Sequence, residues 1–242
     1  MNNEYYMNVI VEGNNIDEVW ETWYDRLVSM NLNNSSRDGD IRGEIINAIT
    51  VIKDPTRNIL KSKIRNLPMR YAIGEMLWYM SGNNRLQEIQ KYSKGWDRMS
   101  DDGVTVNSNY GWCIKEKYGF NQWEFVKTEL KQNPNSRRAV IHIKEPSHYE
   151  SKDVNCTVCL QFFIRDNKLH LTIYMRSNDL WMGFPYDVFQ FTNMLVLMSM
   201  ELELEIGTYT HIAGSLHLYE RDVKSEKKDA EVKEYDIYGD TE

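Results

Sequence analysis

Cysteine is scarce in this sequence, which has only three in 242 residues: Cys113, Cys156 and Cys159. Three cysteines are too few for a disulfide scaffold. The first residues, MNNEYYMNVIVEG, lack the basic and then apolar profile of a signal peptide. We therefore expect a protein of the reducing cytoplasm.

Positive charge is also in short supply, because 29 Lys and Arg residues against 36 Asp and Glu residues leave a net charge of -7. This balance disfavours a broad, non-specific nucleic-acid surface, although an acidic protein can still hold a local basic pocket. The expected partner is a small anion.

Long apolar runs are absent too. The most apolar segment, residues 188–204, is too short and too polar for a membrane span, since it contains Gln190, Asn193, Ser199, Glu201 and Glu203. We interpret it as a central core helix. With 41% hydrophobic residues, a chain of this length can bury one large core, so we predict a single α/β domain over residues 1–242. From about residue 222 the chain is charged and poor in apolar residues, and we expect disorder there.

Local patterns predict several further elements. Apolar residues at helical spacing indicate a helix over residues 16–30 and another from Pro68, whose apolar stripe would be Met69, Ala72, Ile73, Met76 and Met80. We also predict strands at 45–52, 139–143, 208–212 and 215–220, and a helix at 120–130.

A β-hairpin is predicted where two runs rich in β-branched and aromatic residues, 157–164 and 168–175, flank the turn 165–167. Cys156 then opens the first strand and Arg176 closes the second. Because these ends lie side by side in an antiparallel pair, the thiol and the guanidinium should be neighbours. A nearby cation favours the thiolate, which is the nucleophilic form.

Cys156 and Cys159 also form a C-x-x-C pattern, which occurs in metal sites and redox pairs. Both uses normally need a turn or a helix start, whereas this pattern falls on a predicted strand. No second cysteine pair is present, so we expect no metal site.

The order of several motifs resembles the thymidylate synthase family over about residues 37–219. The motifs are Cys156, Gln161-Phe162, Arg176-Ser177-x-Asp179, Gly183-x-Pro185 and His217-x-Tyr219. The synthases carry Asn where this chain has Asp187. That Asp, with Thr157 and the string Asn107-Ser108-Asn109-Tyr110-Gly111-Trp112, is similar to the phage deoxycytidylate hydroxymethylases. The resemblance implies an α/β (α+β) fold with a large, mixed, mostly antiparallel sheet flanked by helices, and the host cytoplasm if a phage encodes the protein.

The resemblance also implies a mechanism. The Cys156 thiolate would add to C6 of the pyrimidine, and C5 would then attack the one-carbon unit of 5,10-methylenetetrahydrofolate, the expected co-substrate. Loss of the C5 proton and of tetrahydrofolate leaves an exocyclic methylene. Hydride makes it a methyl group, whereas water makes it hydroxymethyl.

The expected base follows from the hydrogen-bond donors and acceptors that uracil and cytosine present. Uracil presents N3–H as donor and O4 as acceptor, which the amide of Asn matches, whereas cytosine presents N3 as acceptor and its amino group as donor. A carboxyl group accepts from the amino group and, when protonated, donates to N3, so Asp187 fits cytosine. Alternatively, Asp187 is an ordinary carboxylate at the N-terminus of a helix, where the helix dipole favours negative charge.

By the same resemblance, Glu75 would relay protons at the ring and Tyr110 would join the network that removes the C5 proton. Glu75 could instead point to solvent or pair with an arginine. Trp96 would pack near the folate, and Met99 stands where the synthases carry a second aromatic residue, which suggests a site open to water.

The remaining assignments concern the phosphate, the sugar and the folate. Loop residue Arg37, together with Arg137 and Arg138 from across a homodimer interface, would bind the phosphate, unless all three are ordinary surface residues. Further substrate contacts are assigned to Thr157, Gln161, Arg176, Ser177, His217 and Tyr219, and folate contacts to Asp179 and Gly183. His217 and Tyr219 alternate by two, so they should face the same side of a strand.

The sequence thus predicts folate-dependent 5-hydroxymethylation of a cytidine monophosphate, with dCMP as the expected substrate and no nucleic-acid or membrane partner. A dCMP 5-methylase and a thymidylate synthase acting on dUMP remain as alternatives. So does a catalytically silent relative that binds nucleotide or RNA.

Overall fold

The computed structural model describes residues 6–32, 34–36, 38–146 and 150–224. Within these residues nine strands form one sheet: β1 (Tyr6–Met7), β2 (Ile10–Gly13), β3 (Asn34–Ser36), β4 (Gly39–Ile52), β5 (Val140–His142), β6 (Thr157–Arg165), β7 (Lys168–Met175), β8 (Asn178–Asp179) and β9 (Glu205–Tyr219). The helices are α1 (Ile16–Ser29), α2 (Met69–Ser81), α3 (Leu86–Gln90), α4 (Tyr110–Lys115), α5 (Gln122–Gln132) and α6 (Phe184–Leu202), with 3-10 turns at Lys94–Arg98 and Glu220–Asp222.

The sheet is mixed, as predicted, and its main order is β1-β4-β9-β7-β6-β5. Its two longest ladders, β4 with β9 and β6 with β7, are antiparallel. The pairings of β1 and β2 with β4, and of β7 and β8 with β9, are parallel. As a result the start of β6, the end of β7 and the middle of β9 lie side by side at one place in the sheet.

The central hairpin forms with a tighter turn than predicted. Arg165 pairs with Lys168, which leaves only Asp166 and Asn167 in the loop. Both have positive φ angles, 52° and 58°. Two such residues form a type I′ turn, which suits the twist of the strands, and Asp and Asn tolerate this conformation.

Helix α6 is the predicted core helix, although it ends at Leu202 rather than Leu204. Pro185 lies in its first turn, where a missing N–H is harmless. Most of its side chains are buried, among them Val188, Phe191 and Leu195. The helix packs against β7 and β9 and carries Asp187 in its first turn.

The two N-terminal predictions had different outcomes. The helix predicted over residues 16–30 is confirmed, and its apolar residues Val19, Trp20, Trp23 and Leu27 are fully buried. The predicted stripe of α2 is wrong, because Ile73 and Met80 are 43% and 41% exposed. Burial centres instead on Ala72, Glu75, Trp78 and Tyr79. Two aromatic rings and a carboxyl group, rather than the methionines, face the interior.

The C-terminal strands also differ from the prediction. One continuous strand, β9, takes the place of the two short ones expected at 208–212 and 215–220, and it ends at Tyr219. Gly214 passes so close to β7 that an added Cβ would lie 2.8 Å from the Arg176 carbonyl oxygen. The predicted tail begins slightly later than expected, since Asp222 is buried and the Lys224 N–H donates to the Tyr24 hydroxyl. The rest of the tail lies outside the described residues.

Within the described residues, no helix has both the length and the apolar content that a membrane crossing needs. No group of three or more metal-ligating side chains occurs there either, and the three cysteines are free thiols.

Candidate active site

Cys156 and Arg176 are neighbours, as the hairpin predicted. The Arg176 backbone N–H donates to the Cys156 carbonyl at 2.8 Å. The Arg176 side chain holds the preceding segment, because its Nε and Nη2 donate to the carbonyls of Asn155 and Val154 at 3.2 and 2.8 Å. The guanidinium therefore fixes the backbone that presents the thiol.

The ionisation of Cys156 reflects two opposing effects. Burial raises the pKa of the thiol, and the positive charge of Arg176 lowers it. The charge of Asp187 acts in the same direction as burial, so the two side chains share one electrostatic environment. Arg176 has the predicted direction of effect, but burial outweighs it in this protein without ligand.

Asp187 lies in the first turn of α6 and is partly buried. Its pKa is raised to about 8, chiefly by burial and then by the charge of Glu75, while a hydrogen bond from Asn178 acts in the opposite direction. That bond runs from Asn178 Nδ2 to Asp187 Oδ2 at 2.8 Å. A carboxyl group of this kind keeps its proton at neutral pH and can donate as well as accept.

Glu75 is the second buried carboxyl group, so the alternative of a solvent-facing residue is wrong. The Tyr71 hydroxyl donates to Oε1 at 2.7 Å, and Gln190 Nε2 donates to Oε2 at 3.0 Å. Burial raises the pKa of Glu75 to about 7, while these hydrogen bonds lower it. The charge of Glu75 also raises the pKa of Asp187, so the two carboxyl groups lie within electrostatic reach of each other.

Tyr110 lies at the start of α4, in a stack of rings. Its ring packs on Tyr79 and Phe191, with centroids 5.1 and 5.7 Å apart. Gly111 permits this approach, because an added Cβ would lie only 1.7 Å from the Tyr79 carbonyl oxygen. Burial raises the pKa of Tyr110, and the charges of Asp187 and Cys156 raise it further. The hydroxyl therefore stays protonated beside the thiol.

His217 and Tyr219 face the same side of β9, as predicted, with ring centroids 5.1 Å apart. His217 Nδ1 is 3.4 Å from the Ser215 hydroxyl, which donates to Glu44. The Ser36 hydroxyl donates to the Tyr219 hydroxyl at 3.4 Å. Since β8 pairs with β9 at Leu216 and His217, this pair lies next to the segment that carries Asn178.

The three residues assigned to folate have different surroundings. Trp96 is half-buried, and its indole N–H donates to the Tyr71 hydroxyl at 3.0 Å. Asp179 Oδ1 accepts from the N–H groups of Trp181 and Met182 at 2.8 and 3.0 Å, so it stabilises the turn before α6. Gly183 lies against the Asn178 and Asp187 pair, 3.1 and 3.4 Å from an added Cβ.

Sequence reasoning missed a cluster of aromatic and cationic side chains near this turn. The Arg65 guanidinium lies 5.4 Å from the centroid of the Trp181 ring and 5.8 Å from that of the Tyr186 ring. Lys224 Nζ lies 5.3 Å from the Trp181 ring. Arg65 also donates to the Trp181 carbonyl at 2.8 Å. No local motif distinguishes Arg65, because its partners are more than a hundred positions away along the chain.

Several predicted residues lie apart from the Cys156 cluster. Arg137 and Arg138 are exposed, and Gln161 Nε2 donates to the Arg137 carbonyl at 2.9 Å, several residues further along β6. Ser177 is partly buried between β7 and β8. Arg37 lies outside the described residues. The structure therefore brings together Cys156, Glu75, Tyr110, Asp187 and Thr157, but not the whole expected phosphate site.

Buried polar atoms without hydrogen-bond partners line the same region of the described chain. They are Asn155 Oδ1, Thr157 Oγ1, Asn178 Oδ1 and Gln190 Oε1. Buried polar groups are normally paired, so each unpaired one needs a reason. A polar, planar molecule bound beside Cys156 and Asp187 would supply partners. The region can therefore present a nucleophile, two proton-exchanging carboxyl groups and several hydrogen-bonding groups to one ring.

Comparison with known proteins identifies the family to which this fold and this site belong. The family model for thymidylate synthase matches residues 22–237. Among solved structures, thymidylate synthase from T4 phage has a TM-score of 0.71 at 18% identity, covering 83% of this chain and 76% of that one. The thermostable thymidylate synthase A from Bacillus subtilis has a TM-score of 0.69 at 22% identity, covering 85% and 80%. The fold is therefore that of thymidylate synthase.

A sequence relative from Bacillus phage SP01, named deoxyuridylate hydroxymethyltransferase, is 33% identical over 205 residues. The match covers 76% of this chain and 54% of the relative, so the chain spans about half the length of that protein. With the family match, this shows that the chain belongs to the thymidylate synthase family.

Proposed function

We propose that this protein is a deoxycytidylate 5-hydroxymethyltransferase, which transfers a one-carbon unit from 5,10-methylenetetrahydrofolate to C5 of dCMP. The observation that carries the proposal is Asp187, a partly buried carboxyl group whose pKa is raised to about 8. At neutral pH it offers one donor and one acceptor, which is what N3 and the amino group of cytosine require. Mispairing such a contact costs about 1–3 kcal/mol, or roughly one to two powers of ten in selectivity.

The chemistry at the ring falls to four residues. Cys156 adds to C6, and Asp187 stabilises the negative charge that develops at N3. Tyr110, whose hydroxyl stays protonated, and Glu75, with a pKa of about 7, handle the C5 proton. Because burial raises the pKa of the Cys156 thiol despite the charge of Arg176, proton transfer from Cys156 to a neighbouring base forms part of the proposal.

The sugar and the phosphate would be bound by residues around this centre. His217 and Tyr219 face one side of β9 and suit a sugar hydroxyl, while Thr157 and Ser177 supply further hydroxyl groups. Arg176 and Arg37 would bind the phosphate of the same protomer. Because Arg137 and Arg138 are exposed and lie away from Cys156, they would reach the partner's phosphate in a homodimer.

The residues present fit a folate. A pterin is flat and a glutamate tail is anionic. The chain offers the half-buried ring of Tyr186 beside the Arg65 cation, and the half-buried ring of Trp96, which donates to Tyr71 at the edge of the Tyr186 ring. Asp179 and Gly183 border the same turn. The bound folate would supply the one-carbon unit. Met99, next to Trp96 and 38% exposed, leaves this side open enough for water to reach the ring.

A cytoplasmic location belongs to the same proposal. The nucleophile must be a reduced thiol, and all three cysteines are free. Such thiols persist in a reducing compartment.

Hydroxymethylation of dUMP is the second candidate, favoured by the name of the SP01 relative. A protonated carboxyl group can also serve uracil if its two oxygens exchange roles, donating to O4 and accepting from N3–H. The base preference therefore depends on which oxygen of Asp187 carries the proton.

Product mass decides between these activities. The protein is incubated with methylenetetrahydrofolate and, separately, with dCMP, dUMP, CMP and UMP. We expect dCMP to gain the mass of one carbon, two hydrogens and one oxygen. A gain of one carbon and two hydrogens alone would indicate methylation, and conversion of dUMP in preference to dCMP would overturn the choice of base.

A further inference from the structure

Asn178 is the hydrogen-bond partner of Asp187 and has no part in the proposed chemistry at the ring. Its side chain is 3% exposed, and its Nδ2 donates to Asp187 Oδ2 at 2.8 Å. Within the described residues this is the only hydrogen bond to the Asp187 carboxyl group. The backbone of Asn178 is fixed by the pairing of β8 with β9.

A glycine lies behind this pair of side chains. Gly183 lies where any side chain would press on the pair, since an added Cβ would be 3.1 Å from Asn178 Nδ2 and 3.4 Å from Asp187 Oδ2. The first contact is tighter than packing normally allows. Glycine at this position therefore leaves the amide the room it needs to lie against Oδ2.

We propose that Asn178 determines which oxygen of Asp187 carries the proton, and that it thereby sets which pyrimidine base the site accepts. This inference rests on the proposed function, in which Asp187 reads the base.

The argument is one of donors and acceptors. An amide N–H that donates to Oδ2 keeps Oδ2 as an acceptor, so the proton of the neutral carboxyl group resides on Oδ1. For cytosine, Oδ1–H would donate to N3, and Oδ2 would accept from the amino group as well as from Asn178. Uracil needs the reverse arrangement. That arrangement would place a hydroxyl against the amide N–H and leave two donors facing each other.

Other ionisable groups face Asp187 from each element packed around it. In the described chain, none of them forms a hydrogen bond to either oxygen of Asp187. They are Glu75 and Tyr79 of α2, Tyr110 of α4, Cys156 before β6 and Tyr209 of β9. Their charges act on the total ionisation of Asp187. Asn178 alone acts on one oxygen.

The test uses two variants. Asn178→Ala removes the amide, and Asn178→Leu removes it while keeping a similar volume, so a folding defect in one does not decide the outcome. Asn58→Ala is the matched control, because Asn58 is also buried and donates from Nδ2 to a residue of α6, Thr192, at 2.9 Å. Dissociation constants for dCMP and dUMP are measured by calorimetry on each full-length protein.

We expect the ratio of the two dissociation constants to move about tenfold towards equality in both Asn178 variants and to stay unchanged in Asn58→Ala. A carbon-13 NMR titration of the aspartate carboxyl groups should show the Asp187 pKa rising, because the lost hydrogen bond favoured the ionised form. In the background of Asp187→Asn, removing Asn178 should no longer change the ratio.

An unchanged ratio in the folded Asn178 variants overturns the inference. So does an equal effect with and without Asp187→Asn. Failure of the proposed function is a different result, because it appears in the wild-type protein as a preference for dUMP. A wild-type preference for dCMP that survives in both Asn178 variants counts against the inference alone.

Discussion

Tyr71 and Glu75 lie one helical turn apart on α2, and the Tyr71 hydroxyl donates to the Glu75 carboxylate at 2.7 Å. The same hydroxyl accepts from the Trp96 indole N–H at 3.0 Å. Glu75 is thereby connected to the side of the site on which we place the folate. Tyr71 is a positioning residue, because it acts on the ring through Glu75.

Replacing Tyr71 by Phe should raise the pKa of Glu75, since the lost hydrogen bond stabilised the ionised carboxylate. Hydrogen bonds to charged groups contribute about 1.5–3 kcal/mol, so the expected rise is about one to two pKa units. The acid limb of the pH profile of kcat should move to higher pH by that amount. Tyr118→Phe is the control, because Tyr118 donates to the Ile143 carbonyl away from Glu75. Identical pH profiles of kcat in both variants would mean that Tyr71 does not act on Glu75.

Replacing Cys156 by Ser should abolish exchange of the C5 hydrogen of the substrate, because a serine hydroxyl is a far weaker nucleophile than a thiolate. We expect a loss of more than about a thousandfold, measured as tritium release from C5-labelled dCMP. Cys159→Ser should retain exchange, since Cys159 pairs with Tyr174 within the sheet. Equal losses in both variants would mean that Cys156 is not the nucleophile.

Replacing Asp187 by Asn should move the preference from dCMP towards dUMP by about ten- to a hundredfold in kcat/KM. An amide turned with its oxygen towards N3 accepts from N3–H of uracil and donates to O4, a pairing that the protonated acid held by Asn178 disfavours. The measurement compares kcat/KM for both nucleotides in wild type and variant. An unchanged preference would mean that another group reads the base.

Local pattern predicted the hairpin, the core helix and the site motifs, because each depends on residues close together in the chain. The α2 stripe failed because helical spacing cannot tell which residues the neighbouring helices will cover. Glu75 and Trp78 are buried by contacts with distant segments, whereas Ile73 is not. Asn178 stood inside the Arg-Ser-x-Asp motif at the unassigned position. Its bond to Asp187, nine residues on, required the turn that Asp179 stabilises.

The raised pKa of Asp187 has a consequence for stability. Between about pH 4 and pH 8 the unfolded chain gives up this proton while the folded chain keeps it, so the free energy of unfolding should fall as pH rises. Asp187→Asn removes that dependence and should be more stable than wild type by roughly 1–3 kcal/mol at pH 8, with little difference at pH 4. Urea unfolding at both pH values measures this. The exposed residue Asp166 provides the control. The difference in unfolding free energy between wild type and Asp166→Asn should not grow as pH rises.

The expected dimer makes a prediction about mixed subunits. If Arg137 and Arg138 complete the partner's phosphate site, a Cys156→Ser chain and a chain with both arginines changed to Ala are each inactive alone but form one intact site when paired. Random pairing gives half mixed dimers with one working site each, so co-refolding should restore about a quarter of the wild-type activity. The control pairs Cys156→Ser with Glu75→Ala. Both of these residues belong to the same protomer's site, so no activity should return. If the first mixture forms dimers of the correct size but regains no activity, the two arginines lie outside the site.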